Sequence, residues 1–111
     1  MSELARKKCV PCEGGVDPLT PPEAQKLMTE LNPEWMLVDD AHILARSFKF
    51  KNFVETMNFV NKIAEVAEEE GHHPDMNISY DTLGIELATH AIEGLSENDF
   101  ILAAKIDEIE K

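Results

Sequence analysis

The sequence predicts an α+β fold, a two-layer sandwich with a four-stranded antiparallel sheet and three helices on one face, in the order α-β-β-α-β-β-α. Three observations carry that expectation. Apolar residues recur at steps of three and four in three separate stretches, as one face of a helix requires. Between those stretches the apolar period changes to two, and it does so twice. Each change falls beside a residue suited to a cap or a turn. Two hairpins can then join as one sheet, whose apolar face needs a helical layer to cover it. A chain of 111 residues has room for one such domain and not for two.

Residues 1–19 carry glycine and proline without sustained periodicity, and the expectation is an arm laid over the surface or left loose, followed by a single domain over 20–111. Thr20-Pro21-Pro22-Glu23 supplies a helix start: Thr20 as N-cap, proline at the first helical position, and Glu23 reaching back as in a capping box. Ala24, Leu27, Met28 and Leu31 follow at amphipathic spacing, and Asn32-Pro33 ends the helix. Trp35, Leu37, Ile43, Leu44, Phe48 and Phe50 suit a first hairpin with Asp39-Asp40-Ala41 near its turn. Arg46 shares the parity of its apolar residues, so it lies at an edge or points to a carboxylate.

Asn52 can cap a long helix whose apolar stripe is Phe53, Met57, Val60, Ala64 and Ala67, widened by Val54 and Ile63, and which is expected to be the main core helix. Gly71 stops it and Pro74 cannot continue it, which places His72 and His73 where a helix hands over to a strand. Beyond Pro74, alternation over Met76, Ile78 and Tyr80, then Ile85, Leu87 and Thr89, predicts a second hairpin. A turn flanked by Asp81 and Gly84 would set Tyr80 against Ile85, Ile78 against Leu87, Met76 against Thr89 and Asp75 against His90. His73 would then be a diagonal neighbour of His90, roughly 7 to 8 Å away. Ser96 caps a last helix with Leu102, Ala103, Ile106 and Ile109 on its buried side, and Asp99 in its first turn reads as a cap rather than a catalyst.

Ten basic residues against twenty-two acidic ones give a formal charge of −12, which repels phosphate backbones and anionic lipid, so direct nucleic-acid binding is not expected. The acidic runs, at residues 68–70 and 107–110, read as solvated helix ends. No apolar run reaches the ~20 residues of a spanning helix and the first residues lack the apolar core of a signal peptide, so the expected place is the cytoplasm, with no membrane partner. Cys9 and Cys12 form one C-x₂-C without a second pair, so a reduced cysteine pair on the arm is the expectation over a structural zinc site.

Three of the four histidines fall between positions 68 and 90. Glu68, then His72-His73-Pro74 after three intervening residues, Tyr80 six residues later, His90 ten after that, and G-L-S-E-N-D ending at Asp99 resemble the pterin-4a-carbinolamine dehydratases. The likeness extends over most of the chain, with Trp35 at the start of the first strand, and the C-x-P-C-x-G-G opening looks like a subset of microbial members. It implies a small α+β protein that removes water from 4a-hydroxytetrahydropterin to give quinonoid dihydropterin, without metal or other cofactor, in tetrahydrobiopterin-type recycling. It also implies a pterin pocket lined by His72, His73 and His90 with Glu68 assisting.

Histidine chemistry suits that reaction, because imidazole titrates near pH 6.5 and can both give and take a proton near neutrality. The expected roles are acid and base for His72 and His90, ring-holding for His73, orientation of His72 by Glu68, and a pocket wall for Trp35. Each has a plainer rival: a strand-end histidine in solvent, an ordinary helix-end glutamate, a core tryptophan, and packing for Tyr80. Only the joint spacing favours the functional assignment. Two other classes stay open, a non-enzymatic dimerisation or coactivator-type module on the same fold, and a metal hydrolase with a three-histidine zinc site. The unpaired sheet edge and open face predict a homodimer or homotetramer.

Overall fold

The computed structural model describes residues 3–9 and 17–109. Along the chain come α1 (Glu3–Arg6), α2 (Pro21–Met28), β1 (Met36–Val38), β2 (Ile43–Lys49), α3 (Phe53–Glu70), β3 (Asp75–Ser79), β4 (Thr82–Leu87), a 3₁₀ turn (His90–Ile92) and α4 (Glu97–Asp107). The four strands form one antiparallel sheet in the order β1-β2-β4-β3, which makes the chain an α+β protein of the expected arrangement. Leu44, Phe48, Leu83, Ile85 and Leu87 are buried on one sheet face, and α3 and α4 pack there.

The helix starts follow local chemistry. In α2, Thr20 and Glu23 exchange the two bonds of a capping box, with the Thr20 N–H 2.8 Å from Oε1 of Glu23. In α3, the Asn52 side chain accepts from the Glu55 N–H at 2.9 Å. The face that α3 buries is rotated from the expected one: Val60, Ile63 and Ala67 are inside as expected and are joined by Thr56 and Phe59, while Phe53, Val54 and Ala64 are exposed. The aromatic packing accounts for the rotation, because Phe59 meets Phe48 at 4.8 Å and Phe50 at 5.2 Å between ring centroids, and such offset pairs add to area burial. Helix α4, not α3, is the most buried, with an unbroken run from Asn98 to Ala104 inside. Residues 3–9 contribute to this, since Leu4 at 1% exposure packs α1 against α4.

The second hairpin differs in register from expectation. Its loop is Tyr80-Asp81, Ser79 pairs with Thr82, Ile78 with Leu83 and Met76 with Ile85. Tyr80 takes the left-handed conformation, φ 51°, a region that non-glycine residues seldom occupy, so composition gave no turn signal there. Asp81 is anchored by its carbonyl to the Phe50 N–H at 2.7 Å and by its carboxylate to Lys49 at 3.2 Å, whose hydrogen bond holds that carboxyl below its ordinary range. Relative to the expected pairing, the partners move by an even number of residues, so the apolar side chains keep the same face. His90, however, leaves the sheet for the 3₁₀ turn and is not a diagonal ladder neighbour of His73.

Candidate functional site

The site forms where α3 ends. Gly71 caps the helix at φ 68° with its N–H on the Ala67 carbonyl at 2.9 Å, and the His72 N–H reaches the same carbonyl at 3.3 Å. Only a residue at ease in the left-handed region reverses the chain so sharply, and Pro74 then commits it to β3. The reversal carries His72 against the first turn of α4, where its Nε2 lies 2.6 Å from Oδ1 of Asp99. The His72 side chain is 13% exposed and that of Asp99 fully buried.

Burying a carboxylate is costly unless donors surround it. Asp99 has three. The Ser96 N–H donates to Oδ2 at 2.9 Å and the Thr89 hydroxyl to the same oxygen at 2.8 Å, while His72 meets Oδ1. With its proton committed to Asp99, Thr89 receives the Ser96 hydroxyl at 2.7 Å. With both Asp99 oxygens accepting, Nε2 is the ring nitrogen of His72 that donates, which leaves Nδ1 as the nitrogen outside this contact. This is the carboxylate–imidazole arrangement that holds a histidine in one tautomer and one orientation.

His73 turns the other way. Its Nε2 sits 2.5 Å from Oε2 of Glu68, both side chains being largely in solvent. Glu68 thus engages His73 and not His72, a correction with a simple cause: Gly71 breaks the helical spacing that would have stacked Glu68 beneath His72. His90 is exposed and follows Thr89 directly, so it stands one residue from the hydroxyl that shares the Asp99 carboxylate with His72. Trp35 is not brought to these histidines within one chain. It is 2% exposed, with its Nε1–H on Oδ1 of Asp107 at 2.7 Å, two helical turns and about 12 Å along α4 from Asp99. There Asp107 also receives Arg46 at 2.6 Å and the Asn32 N–H at 2.9 Å, which settles Arg46 as pointing to a carboxylate.

Asp99, Thr89 and Ser96 are the residues that sequence reasoning missed as parts of the site. The available signal was the S-x-x-D spacing of Ser96 and Asp99, which aims a carboxylate back over the helix start. His72 and His73 address different carboxylates, and among the described residues no group of three His, Cys, Asp or Glu side chains is placed to hold a metal. Cys9 lies partly buried, and Cys12 falls outside the described residues. A separate open concavity of about 730 Å³ lies on the helix-free face of the sheet, between Met36, Ser47, Asn77 and Glu86, with no histidine in its wall. Chemistry, not volume, makes the histidine cluster the candidate, since the wall of that concavity mixes acidic, small and apolar side chains with Arg46 and holds no imidazole.

The fold and the cluster together define a class: a small α+β sandwich presenting a carboxylate-aligned imidazole at a helix-to-strand junction, beside two exposed imidazoles. The profile of the family described as Pterin 4 alpha carbinolamine dehydratase matches residues 17–109, and the chain belongs to that family. A Rickettsia canadensis protein named "Putative pterin-4-alpha-carbinolamine dehydratase" is 53% identical over 107 residues, covering 96% of this chain and 97% of that one. A Nitrosomonas europaea protein of the same name is 54% identical, covering 95% and 91%. Among solved structures, a transcriptional coactivator/pterin dehydratase from Brucella melitensis superposes with a TM-score of 0.75 at 34% identity, covering 81% of this chain and 95% of that one. A pterin dehydratase-like protein identified as a RuBisCO assembly factor in the alpha-carboxysome superposes at 0.58 with 25% identity, covering 67% and 86%.

Proposed function

We propose that this protein is a 4a-hydroxytetrahydropterin dehydratase, a hydro-lyase acting in the recycling of a tetrahydrobiopterin-type cofactor. The observation that carries the proposal is the His72–Asp99 contact, which prepares one imidazole for proton transfer inside a family of dehydratases. In the reaction the C4a–O bond breaks as the hydroxyl accepts a proton, and the proton on N5 is removed as the C4a–N5 double bond forms. Water and quinonoid dihydropterin are the products, so atoms and charge balance with no redox partner. His72 and His90 exchange the two protons, Asp99 keeps the His72 ring in place, and His73 with Glu68 holds the edge of the heterocycle. A positioned acid or base of this kind typically contributes ~10² to 10⁴-fold.

Exposed apolar side chains at the sheet edges, Met36 on β1 and Ile78 on β3, support a homodimer or homotetramer. The charge of −12 argues against direct nucleic-acid contact, and no helix among the described residues is long and apolar enough to cross a membrane. A cytoplasmic site of action completes the proposal. The competing reading, a binding module without catalysis, has the RuBisCO assembly factor as its precedent on this fold. His72→Ala separates the two. The enzyme reading expects turnover, followed as decay of 4a-hydroxytetrahydropterin absorbance, to fall about tenfold or more in a variant with unchanged circular dichroism. Wild-type protein that leaves the uncatalysed decay rate unaltered would overturn it.

A further inference from the structure

Residues 3–9 of the N-terminal arm lie before the stretch matched by the family profile, yet they reach both elements that create the His72–Asp99 contact. The Cys9 N–H donates to Oε1 of Glu70 at 2.8 Å, and Glu70 is the last residue of α3, two before His72. The Cys9 thiol donates to the carbonyl of Asn98 at 3.6 Å, and Asn98 precedes Asp99 in the first turn of α4. Burial, followed by the charge of Glu70, pushes that thiol up to about 12, so it remains an S–H donor at neutral pH. Glu70 has a side chain only 6% exposed, and its other oxygen lies 3.7 Å from Nζ of Lys105. Lys105 in turn donates to the Ala5 carbonyl at 2.8 Å, closing a ring of contacts from the arm through α4 to α3 and back. Leu4, 1% exposed, anchors the other end of the arm on α4.

Resting on the proposed dehydratase activity, we propose that the arm is a positioning element of the site, and that Glu70 is the positioning residue through which it fixes the end of α3 against the start of α4. Cys9 bridges the Glu70 carboxylate at the end of α3 and the Asn98 carbonyl at the start of α4, on either side of the histidine–aspartate pair. Besides it, the polar ties between the helix exit that carries His72 and α4 include that pair itself and the longer Lys105–Glu70 contact, added to the apolar packing of α3 on α4. A donor–acceptor separation of 2.6 Å leaves little tolerance, and small misplacements of a catalytic group can cost as much as ~10²-fold.

The test uses Glu70→Ala, Glu70→Gln and Leu4→Ala in the full chain, with two readouts. The first is kcat and KM for dehydration. The second is the ¹H–¹⁵N signal of the His72 ring, which reports the Asp99 hydrogen bond whether or not the protein is an enzyme. Glu70→Ala and Leu4→Ala are expected to lower kcat about tenfold with KM changed less than about twofold, and to shift or broaden the ring signal. Glu70→Gln, which keeps an acceptor for the Cys9 amide, is expected to recover most of kcat and the signal. A ring signal unmoved in both Glu70→Ala and Leu4→Ala, whatever the melting temperature does, would overturn the positioning role. Should Glu70→Ala fail to fold, Leu4→Ala, altered far from the histidine, decides on the same signal. Absent dehydration in wild type would remove the enzymatic reading, while the ring signal still decides the arm's role.

Discussion

Replacing Asp99 by Asn is the sharpest perturbation of this site, because it preserves shape and inverts hydrogen-bond polarity. The carboxylate receives three donors, from Ser96, Thr89 and His72. An asparagine amide has one accepting oxygen and one donating nitrogen. The backbone N–H of Ser96 cannot reverse, so the amide oxygen stays with Ser96 and Thr89, and the NH₂ group faces His72. To meet a donor, Nε2 must become the acceptor, which moves the ring proton to Nδ1, the nitrogen that the proposed mechanism offers to the substrate. The variant thus loses a charge-assisted bond worth about 1.5–3 kcal/mol and presents the wrong tautomer. At ~1.4 kcal/mol per decade, kcat is expected to fall roughly 10- to 150-fold. Stopped-flow decay of 4a-hydroxytetrahydropterin measures it, with calorimetry as a control, because the variant keeps the capping bond to Ser96 but loses the negative charge in the first turn of α4, worth about 0.3–1 kcal/mol. A variant that folds, shows Nδ1 protonated by ¹⁵N NMR and still turns over within twofold of wild type would refute the proposed role of His72.

Two further outcomes follow from other parts of the molecule. For Cys9, the folded protein holds its proton to about 12 while an ordinary thiol loses it near 9.0, so the unfolded chain binds fewer protons between those values. The thiol's contribution is accordingly complete below about 9 and lost as pH rises toward 12; chemical denaturation at stepped pH should show the midpoint falling in that window, and a Cys9→Ser variant should show a shallower fall. Asp107→Ala strands the Arg46 guanidinium, only 12% exposed, together with the Trp35 Nε1–H. Removing one partner of a buried pair costs about 3–5 kcal/mol, and a loss below ~1 kcal/mol by urea titration would show that Arg46 finds water instead.

What the sequence makes legible divides along the range of the forces involved. The caps at Thr20, Asn52 and Ser96 and the stop at Gly71 depend on side chains within four residues of the bond they make, and all four stand where local chemistry places them. The register of the second hairpin depends on Tyr80 accepting a left-handed turn, a choice imposed by the Asp81 anchor to Phe50, thirty-one residues away. The buried face of α3 follows the helix's own periodicity at Val60, Ile63 and Ala67, but its rotation toward Phe59 is set by Phe48 and Phe50 across the sheet. The site repeats this division. That His72 and His73 emerge together at a helix exit follows from Gly71 and Pro74, but which carboxylate each one meets depends on how α4 lies against α3. Glu68, near in sequence to His72, goes to His73, and Asp99, twenty-seven residues distant, takes His72.

Asp99 therefore answers to two demands that cannot be tuned apart. As the acid in the first turn of α4 it must accept from the Ser96 N–H, and that bond points its carboxylate back out of the helix, toward the end of α3. Once so directed and buried, it needs further donors, and His72 and Thr89 are the ones within reach. The imidazole is thus recruited by the folding requirement of a buried cap, and its orientation, which the proposed proton transfer would use, comes with the helix start. A substitution that kept the cap but removed the third donor, His72→Ala, would leave Oδ1 of a fully buried carboxylate without its partner, so loss of stability is expected alongside loss of turnover. His90, exposed and outside this network, carries no such linkage, and its substitution should act on turnover alone.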